Sequence, residues 1–468
     1  MEIQTAISNF GSSLILPVFI FILAVAMGAK PGKAFRAAVT TGIAFIGINL
    51  VIDLMIKSLS GVANAMVLNT GYKLDIVDVG WPSAAAIAFG SSVGVWVIPI
   101  ALSVNLVLLV TRVTRTLNID IWNFWHFAFI GSLITAATGN LVYGLASTAI
   151  AAAFALFLAD WTAKAVQSYF GIPGVSIPHL ISAPVVPIAI IVDRIIDKIP
   201  GLRDLNIDTE TIQKRFGSVG DPVILGLIIG LILGAIGYYN TGSILTVLTK
   251  IVECGMSLAA VMLLLPRMVK ILMEGLIPVS EAARIFMQKR YNGRDFYIGL
   301  DSAILIGYPA AFSSSLVLIP FLILLSFILP GNHVLVFADL AIIPFVVVMC
   351  APVMKGNVVR IIIAGLFILG GGFYLGNSMA DLFTAAATAG HFKIPAIAAG
   401  AVKIISIGDG FMWPPFLFTN LVANWGVTGL VLLIISVAGL FFFFSRNQKI
   451  WEIAAGAPKD DNTISRLP

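Results

Sequence analysis

Apolar runs long enough to cross a membrane recur along the whole chain, and they restrict the fold more than any other feature. A membrane-spanning helix needs about 20 mainly apolar residues, with a range of roughly 17–25. Eleven runs meet this requirement: 10–29, 35–57, 95–111, 122–140, 142–163, 222–240, 244–266, 312–329, 334–352, 358–376 and 425–446. The sequence therefore predicts an all-α polytopic membrane protein with about 11 transmembrane helices.

The composition excludes the main soluble classes. Apolar residues make up 59% of the chain and charged residues 11%, whereas soluble domains contain roughly 45–50% and about 25%. A soluble fold could not bury so much apolar surface, which excludes a cytosolic enzyme, a disordered chain and a secreted disulfide scaffold. Cys254 and Cys350 both lie inside apolar runs, so neither a disulfide framework nor a thiolate metal site is expected.

The distribution of basic residues predicts the topology. If the eleven runs cross the membrane, one set of alternate connections holds 23 of the 28 Lys and Arg residues. The opposite set holds Lys57, Lys73, Lys393 and Lys403. Basic residues accumulate in cytoplasmic loops, so the N-terminus is expected outside the cell membrane and the C-terminus in the cytoplasm. No basic region precedes the first run, which is therefore expected to remain as a span rather than be removed as a signal peptide.

Four further apolar segments are too short, or too rich in Gly and Pro, to form simple spans. They are 78–94, 172–192, 296–310 and 395–418. Non-helical backbone at membrane depth is tolerated only where it is buried in protein or lines a polar cavity. We therefore interpret these segments as re-entrant hairpins or broken helices. One hairpin follows the second span, and another follows the fifth, in each of two consecutive five-span units.

This order predicts two five-helix repeats, and the second must be inverted in the membrane because five is odd. The first repeat is expected over 1–221, the second over 222–424, and a final span with a cytoplasmic tail over 425–468. The sequences Trp81-Pro82-Ser83-Ala84 and Tyr308-Pro309-Ala310-Ala311 share a pattern of aromatic, proline and small residues that supports the repeat. Inverted repeats with broken helices are typical of transporters, and chance similarity between apolar segments is the alternative.

Helical spacing predicts two further local features. The basic amphipathic stretches 193–216 and 267–290 are typical of helices that lie in the membrane interface. Docking of a cytoplasmic partner is the alternative interpretation of both stretches. Asp160 and Lys164 lie four positions apart in one apolar run, which predicts an intrahelical ion pair.

Ionisable residues at membrane depth are costly and usually face a transport pathway. Asp301 lies in an otherwise uncharged hairpin, and its carboxylate could accept hydrogen bonds from two hydroxyls of a polyol or sugar. A helix N-cap is the alternative role for Asp301. His179 in the second hairpin, and His126 at the start of the fourth span, could each exchange hydrogen bonds with a hydroxyl. The alternatives are a bond to a nearby carbonyl for His179 and an interfacial position for His126.

Two residues of other hairpins are further candidates for ligand binding. Asp409 lies between two glycines, where backbone amides can reach a ligand, although a plain Asp-Gly turn explains the same sequence. Trp81 could stack on the face of a sugar, and packing or an interfacial position is the alternative.

Signatures of soluble enzymes and of nucleic-acid binding are absent from the sequence. The chain has no P-loop, so it is not expected to use ATP directly. Its four histidines are scattered one by one, so neither a metal site nor a cofactor is expected. No basic and aromatic surface indicates nucleic acid as a partner.

Short motifs in the hairpins resemble those of a known family. They are Gly-Ala-Lys-Pro-Gly-Lys at 28–33, Asp78-Val79-Gly80-Trp81-Pro82, Ser176-Ile177-Pro178-His179, Leu300-Asp301 with Tyr308-Pro309, and Gly408-Asp409-Gly410-Phe411. The sequence is similar over essentially its whole length to the membrane subunit, enzyme IIC, of the galactitol family of the bacterial phosphoenolpyruvate-dependent phosphotransferase system. That family belongs with the ascorbate permeases in one superfamily.

The resemblance implies a sugar site. In the ascorbate relatives, two histidines and an Asp followed by Tyr-Pro form this site, and they match the residues His126, His179, Asp301, Tyr308 and Pro309. The polar residues that follow the relatives' histidines are not kept here, since Leu180 follows His179 and Ile130 lies one turn after His126. This difference favours another polyol or sugar, such as galactitol.

The resemblance also implies how such a subunit works. The substrate would bind from outside, between a moving core and the fixed scaffold of a homodimer, and alternating access would open the site inward. A cytoplasmic IIB protein, which works with IIA and carries the phosphorylated cysteine, would then phosphorylate the substrate. The permease subunit would thus not be an enzyme on its own. An ion-coupled secondary transporter, with Asp301 and the histidines as the coupling relay, is the alternative.

Overall fold

The computed structural model shows a helical protein with two small sheets. It describes residues 17–18, 21–22, 24–26, 28–70, 76–205, 209, 222–291, 296–336, 339–389 and 403–459. The predicted span 10–29 therefore lies largely outside the described residues. The predicted hairpin 395–418 and the stretch 193–216 lie partly outside them.

The helices follow the predicted spans over most of the described chain. Those of the first half are α1 (Pro31–Thr70), α2 (Trp81–Gly90), α3 (Gly94–Val110), α4 (Trp125–Thr138), α5 (Leu141–Phe170) and α6 (Val186–Ile196). Those of the second half are α7 (Pro222–Tyr238), α8 (Ile244–Tyr291), α9 (Pro309–Ile328), α10 (Ile343–Val347), α11 (Cys350–Val353), α12 (Val358–Ala389), α13 (Ile407–Gly410) and α14 (Trp413–Ala454). Short 3-10 helices lie at Trp122–Phe124, Ala183–Val185, Ser302–Ile304 and Leu340–Ile342.

Several of these helices can cross a membrane. In the described part of the chain, five are long and apolar enough: α5, the Ile244–Leu264 part of α8, α9, α12 and α14. α3 and α7 contain shorter apolar helices at two further predicted spans, 95–111 and 222–240. The chain is therefore a multi-pass helical membrane protein, as predicted. The number of spans in the whole chain stays a prediction.

Besides the bent helix α14, two helices of the described chain are much longer than a bilayer requires. At 1.5 Å per residue, the 40 residues of α1 extend about 60 Å and the 48 residues of α8 about 72 Å. The hydrocarbon core of a bilayer is only about 30 Å thick. The prediction of a separate interfacial helix at 267–290 is wrong, because this stretch continues α8 without a break.

The predicted span 334–352 is also wrong. The segment forms a strand, a 3-10 helix and the two short helices α10 and α11. Pro344 and Pro352 lack a backbone N–H, so they cannot continue the hydrogen-bond ladder of one long helix. Asp339 and the side chains around it are buried inside the protein, as irregular backbone at membrane depth requires.

Six strands of two or three residues form two parallel sheets, which the sequence analysis did not predict. Sheet A has the order β5-β1-β6, with β1 at Ile76–Asp78, β5 at Val334–Leu335 and β6 at Lys403–Ile405. Sheet B has the order β2-β4-β3, with β2 at Thr116–Asn118, β3 at Val175–Ser176 and β4 at Tyr297–Gly299.

The two sheets share one construction in which the halves of the chain exchange roles. In sheet A, β1 from the first half pairs with β5 and β6 from the second half. In sheet B, β4 from the second half pairs with β2 and β3 from the first half. Each half thus supplies the central strand of one sheet and the edge strands of the other. Neither sheet can form from one half alone.

The helices form two groups. In the first, which we call the α1-α7-α8 group, α8 packs along α1 and α7. In the second, the sheet group, α3, α4, α5, α9, α12 and α14 pack around the sheets. Gly230 allows the backbones of α7 and α8 to approach closely, because a Cβ there would lie 2.7 Å from the Cys254 carbonyl oxygen.

The last helix, α14, contains a bend that separates two predicted elements. Gly426 has a φ of +53° within the helix, a conformation that favours glycine. The predicted last span, 425–446, begins at this bend. The residues of α14 before the bend belong to the segment that was predicted as a hairpin and its connection.

Candidate functional site

The carboxyl ends of the two sheets supply the polar residues of one buried region. Since the strands of each sheet are parallel, the segments that follow them leave from the same edge of that sheet. In sheet B, His126 follows β2, His179 follows β3 and Asp301 follows β4. In sheet A, Asp409 follows β6. A hydrogen bond between His126 and Asp409 joins the two edges.

Four of the predicted site residues form a continuous chain of contacts. His126 Nδ1 lies 2.7 Å from Asp409 Oδ2, and His126 Nε2 lies 3.3 Å from His179 Nε2. His179 Nε2 in turn lies 3.7 Å from Asp301 Oδ1. The Asp409 side chain is completely buried, whereas that of Asp301 is 14% exposed. The chain therefore runs from a fully enclosed carboxylate to one that a ligand can reach.

The hydrogen bonds of His179 indicate how protons are placed along this chain. The backbone N–H of Ile181 donates to His179 Nδ1 at 3.3 Å, so a neutral His179 carries its proton on Nε2. His179 Nε2 then donates to His126 Nε2, and His126 Nδ1 donates to Asp409. Both imidazoles can be neutral in this arrangement, and each ring proton has an acceptor.

Asp301 has the capping role that the sequence analysis considered as the alternative to ligand binding. It is the N-cap of the 3-10 helix Ser302–Ile304, and its Oδ1 accepts a hydrogen bond from the Ala303 N–H at 2.9 Å. A cap of this kind needs only one carboxylate oxygen. Within the described residues, Oδ2 has no hydrogen-bond partner, so this oxygen is left for a ligand.

Aromatic rings lie against the chain of contacts, and two polar atoms in this region are unpaired within the described residues. The Trp125 ring centroid lies 4.0 Å from that of His126, and the Phe345 centroid lies 6.1 Å from that of His179. Within the described residues, Trp125 Nε1 and Asp409 Oδ1 are buried without a hydrogen-bond partner. An unmade bond of this kind costs about 1–3 kcal/mol. Such exceptions are expected at functional sites, where a ligand can supply the missing partner.

Three other predicted residues lie outside this chain of contacts. The Tyr308 hydroxyl donates to the Phe170 carbonyl oxygen, and the Tyr308 ring packs edge-on against the Phe170 ring. Pro309 occupies the first turn of α9, a position where its missing N–H is harmless. Trp81 packs edge-on against Trp122, with ring centroids 6.4 Å apart. A role in binding for these three residues stays a prediction.

The sequence analysis missed two residues of this region. Asp120 follows β2, is 3% exposed, and lies close enough to Asp301 for two charged carboxylates to repel each other. Its Oδ2 accepts a hydrogen bond from the Asn123 side chain at 2.7 Å. An acidic residue directly before an apolar, aromatic run was the available signal. Phe345 was hidden in the wrongly predicted span 334–352.

The carboxyl end of sheet A is closed by Asp339. Its carboxylate accepts hydrogen bonds from the backbone N–H groups of Trp81, at 2.5 Å, and Gly408, at 3.2 Å. It also accepts one from the Ser406 hydroxyl. The Asp339 N–H donates to Asp78 Oδ2 at 2.7 Å. One residue thus ties together the segments at the ends of all three strands.

The amino end of sheet B is held by Asp160. Its carboxylate accepts hydrogen bonds from the hydroxyls of Thr114 and Thr116, at 2.7 and 2.8 Å, and from the backbone N–H of the residue between them. The prediction of an Asp160–Lys164 ion pair is wrong. Lys164 Nζ instead lies 3.1 Å from Glu452 Oε2 on α14.

The arrangement suits a small ligand with several hydroxyl groups. Asp301 is an acceptor, and neutral imidazoles can both donate and accept hydrogen bonds. Trp125 and Phe345 offer apolar ring surface for the carbon skeleton of such a ligand. In the described ranges, no three His, Cys, Asp or Glu side chains are grouped so as to hold a metal ion.

Known proteins are similar in sequence to this one over most of the chain. The family described as "PTS system sugar-specific permease component", where PTS denotes the phosphotransferase system, matches residues 6–396. The chain belongs to this family. The galactitol-specific EIIC component of the PTS from Escherichia coli K12 is 41% identical over 393 residues, which cover 84% of this chain and 86% of that protein. A putative permease IIC component from the same organism is 36% identical over 445 residues, covering 94% and 98%.

Membership of the PTS permease family confirms the predicted class of function. Proteins of this family are permease components, which are transport subunits rather than catalysts. They act on a sugar substrate together with IIA and IIB phosphotransfer proteins. The resemblance to galactitol-family enzyme IIC is confirmed by the extent of the identity.

Proposed function

We propose that this PTS permease binds galactitol or a closely similar polyol at the chain of contacts formed by Asp409, His126, His179 and Asp301. The observation that carries the proposal is the chain itself, in which ionisable side chains from both halves of the protein meet at the carboxyl ends of the two sheets. Ionisable residues buried in membrane proteins usually mark a substrate path. The 41% identity to a galactitol-specific component supports the choice of polyol.

Polyol binding uses Asp301 and His179 directly. Asp301 Oδ2 accepts a hydrogen bond from one ligand hydroxyl. His179 Nε2, which lies 3.7 Å from Asp301 Oδ1, donates its proton to the oxygen of a neighbouring hydroxyl. His126 Nε2 then loses its donor and accepts from the ligand instead. Asp409 keeps the His126 ring in place through the bond to Nδ1.

Translocation moves the sheet group relative to the α1-α7-α8 group. α8 packs against β4 and against the Ser302–Ile304 turn that Asp301 caps, so the site lies at the boundary between the two groups. A rigid movement of one group past the other would expose the site to alternate sides of the membrane. In the assembly that we propose, the α1-α7-α8 group is the fixed scaffold of a homodimer.

The proposal includes two inverted repeats, at 1–221 and 222–424, followed by a final span and tail at 425–468. The segment 334–352 belongs to the second repeat as irregular backbone and not as a helical span. The exchange of central strands between the sheets supports the repeats, because a two-fold relation between the halves would convert sheet A into sheet B. The distribution of basic residues supports an N-terminus outside and a C-terminus in the cytoplasm. Cysteines introduced at Thr70 and Ala389 should react with an impermeant reagent from outside, and a cysteine at Gly201 should not. Labelling of the Gly201 position from outside would contradict this topology.

A transport experiment tests the coupling to phosphorylation. Right-side-out vesicles that contain this permease alone should not accumulate galactitol against a gradient, with or without a proton gradient. Vesicles loaded with the soluble phosphotransfer proteins and phosphoenolpyruvate should accumulate galactitol phosphate. The physical reason is that phosphorylation removes free galactitol from the binding equilibrium on the inner side.

The secondary transporter makes the opposite prediction in the same experiment. It would accumulate unmodified galactitol in the absence of the soluble proteins, and an uncoupler would abolish that accumulation. Such a result would overturn the proposed coupling, while binding measurements on Asp301 variants would still test the site.

A further inference from the structure

An apolar cavity lies on the sheet group, and its lining includes none of the residues of the polar site. It is a groove of about 830 Å³ between α3, α5 and α14. Val104, Leu108, Ile150 and Phe441 are among the apolar side chains that line it. This volume lies in the range of roughly 300–1,000 Å³ that is usual for small-molecule sites. The groove is therefore large enough for a ligand, and its walls suit hydrocarbon.

One end of the groove is basic. Arg112 lines it, is exposed, and has no hydrogen bond or ion pair from its guanidinium within the described residues. At the same end, Ser445 lines the groove and is followed by Arg446, whose guanidinium lies 4.5 Å from the centroid of the Phe442 ring. The cationic side chains of Arg112 and Arg446 thus belong to the end of the groove where its apolar lining ends.

Arg112 is held in an unusual backbone conformation at this end. Its φ is +62°, which non-glycine residues adopt rarely and at an energetic cost. The N–H groups of Arg112 and Val113 donate to the carbonyl oxygens of Leu109 and Leu108, which closes the end of α3. The turn therefore fixes the position of a cationic side chain beside an apolar groove.

The length of the groove matches one leaflet of a bilayer. From Ser103 to Arg112 the chain advances nine residues, or about 14 Å at 1.5 Å per residue. From Ile434 to Ser445, on the opposite wall, it advances about 16 Å by the same measure. Half of a hydrocarbon core of about 30 Å is about 15 Å. The basic end also belongs to the connections whose Lys and Arg residues predict the cytoplasmic side, where anionic lipids attract basic groups.

We propose that this groove binds a phospholipid with an anionic headgroup. Its acyl chain lies along the apolar walls, and its phosphate accepts hydrogen bonds from the Arg112 guanidinium. The match between the charge of Arg112 and that of the phosphate, and the match of groove length to one leaflet, favour a lipid over a second copy of this chain. The proposal does not depend on which sugar the permease carries.

Titration of the full-length protein in detergent with lipids of identical acyl chains tests the proposal. Native mass spectrometry would count bound phosphatidylglycerol and phosphatidylcholine. We expect the first phosphatidylglycerol to bind about ten-fold more tightly than phosphatidylcholine. Arg112→Gln should remove that preference. Arg36→Gln, which removes the same charge from an exposed position on α1, should keep it.

A second variant tests the apolar part of the groove. Ala149 lines the groove on α5, and Ala149→Phe would fill part of it with a ring. Both lipids should then bind about ten-fold more weakly, with no change in the midpoint of thermal unfolding in detergent. Equal binding of the two lipids by the unaltered protein, or equal losses in Arg112→Gln and Arg36→Gln, would overturn the proposal. Conversion of a dimer into monomers by Ala149→Phe would also overturn it, because the groove would then be a contact between copies.

Discussion

The carboxyl ends of sheet A and sheet B are built from matching strands but bonded in opposite ways. At sheet A, Asp339 lies between β5 and a 3-10 helix, and its carboxylate binds the segments that follow β1 and β6. At sheet B, Asp120 lies in the matching place, between β2 and a 3-10 helix. Its carboxylate accepts a hydrogen bond from Asn123, within its own turn. One end is therefore closed by a carboxylate, and the other is left open.

The two sheets are built alike, yet the carboxyl end of sheet A stabilises the structure and that of sheet B can bind a ligand. In the closed end, the donors around Asp339 are satisfied by the protein, so this end is a rigid part of the structure. In the open end, the carboxylate of Asp301 and the ring of His179 lie 3.7 Å apart. The Ala303 N–H holds Asp301, and the Ile181 N–H and the His126 ring hold His179. A ligand hydroxyl can donate a hydrogen bond to the Asp301 oxygen that the protein leaves unpaired. The three substitutions below test this comparison in order of expected effect.

Of the three substitutions, Asp339→Ala at the closed end should have the largest effect, and this effect is on the stability of the folded protein. The substitution leaves the Trp81 backbone N–H and the Ser406 hydroxyl without their acceptor, whereas the Gly408 N–H keeps its bond to Ser406 Oγ. Since each unpaired group costs about 1–3 kcal/mol, the free energy of unfolding should fall by about 2 kcal/mol or more. Thermal unfolding in detergent would show a lower midpoint, and Asp339→Asn, which keeps one acceptor oxygen, should lie between. An unchanged midpoint together with lost galactitol binding would place the ligand at sheet A and reverse the comparison.

Asp301→Asn at the open end should affect binding and not folding. An Asn side chain keeps the oxygen that caps the Ser302–Ile304 turn, so the unfolding midpoint should change little. The bond from a ligand hydroxyl to a charged acceptor contributes roughly 1.5–3 kcal/mol. The affinity for galactitol, measured by equilibrium binding to the purified protein, should therefore fall about ten- to a hundred-fold.

The matched control for Asp301→Asn is Glu253→Gln. Glu253 is an exposed carboxylate on α8, and the same change of charge there should leave galactitol binding unaltered. If Glu253→Gln abolished binding and Asp301→Asn did not, the ligand site would lie on α8, and the open end of sheet B would have no part in it.

His179→Ala should have the smallest effect of the three. The substitution removes one neutral hydrogen-bond partner of the ligand, and neutral bonds are weaker than those to a carboxylate. The affinity for galactitol should fall about ten-fold or less. Isothermal titration of the His179→Ala and Asp301→Asn proteins under the same conditions would compare the two losses. A larger loss for His179→Ala would mean that the imidazole, and not the carboxylate, is the main contact of the polyol.

The local sequence was enough to predict several of the helices and the main candidate residues of the site. The apolar runs predicted the described helices α3, α4, α5, α7, α9 and α12, because the length and composition of a membrane helix are local properties. The absence of neutralising neighbours around Asp301 indicated a functional residue, and the structure places it with His126, His179 and Asp409. Proline-rich segments also predicted where the backbone would be irregular.

Only the tertiary structure decided how those segments meet. The strands are too short to produce a pattern in the sequence, and they pair across long separations, as Ile76 does with Val334 and with Lys403. Local periodicity therefore could not predict the sheets, and the segment 334–352 was mistaken for a span because its apolar side chains are buried in protein instead of lipid. The contrast between Asp339 and Asp120 has the same origin. Both are acidic residues before a 3-10 helix, and distant backbone donors reach only the first of them.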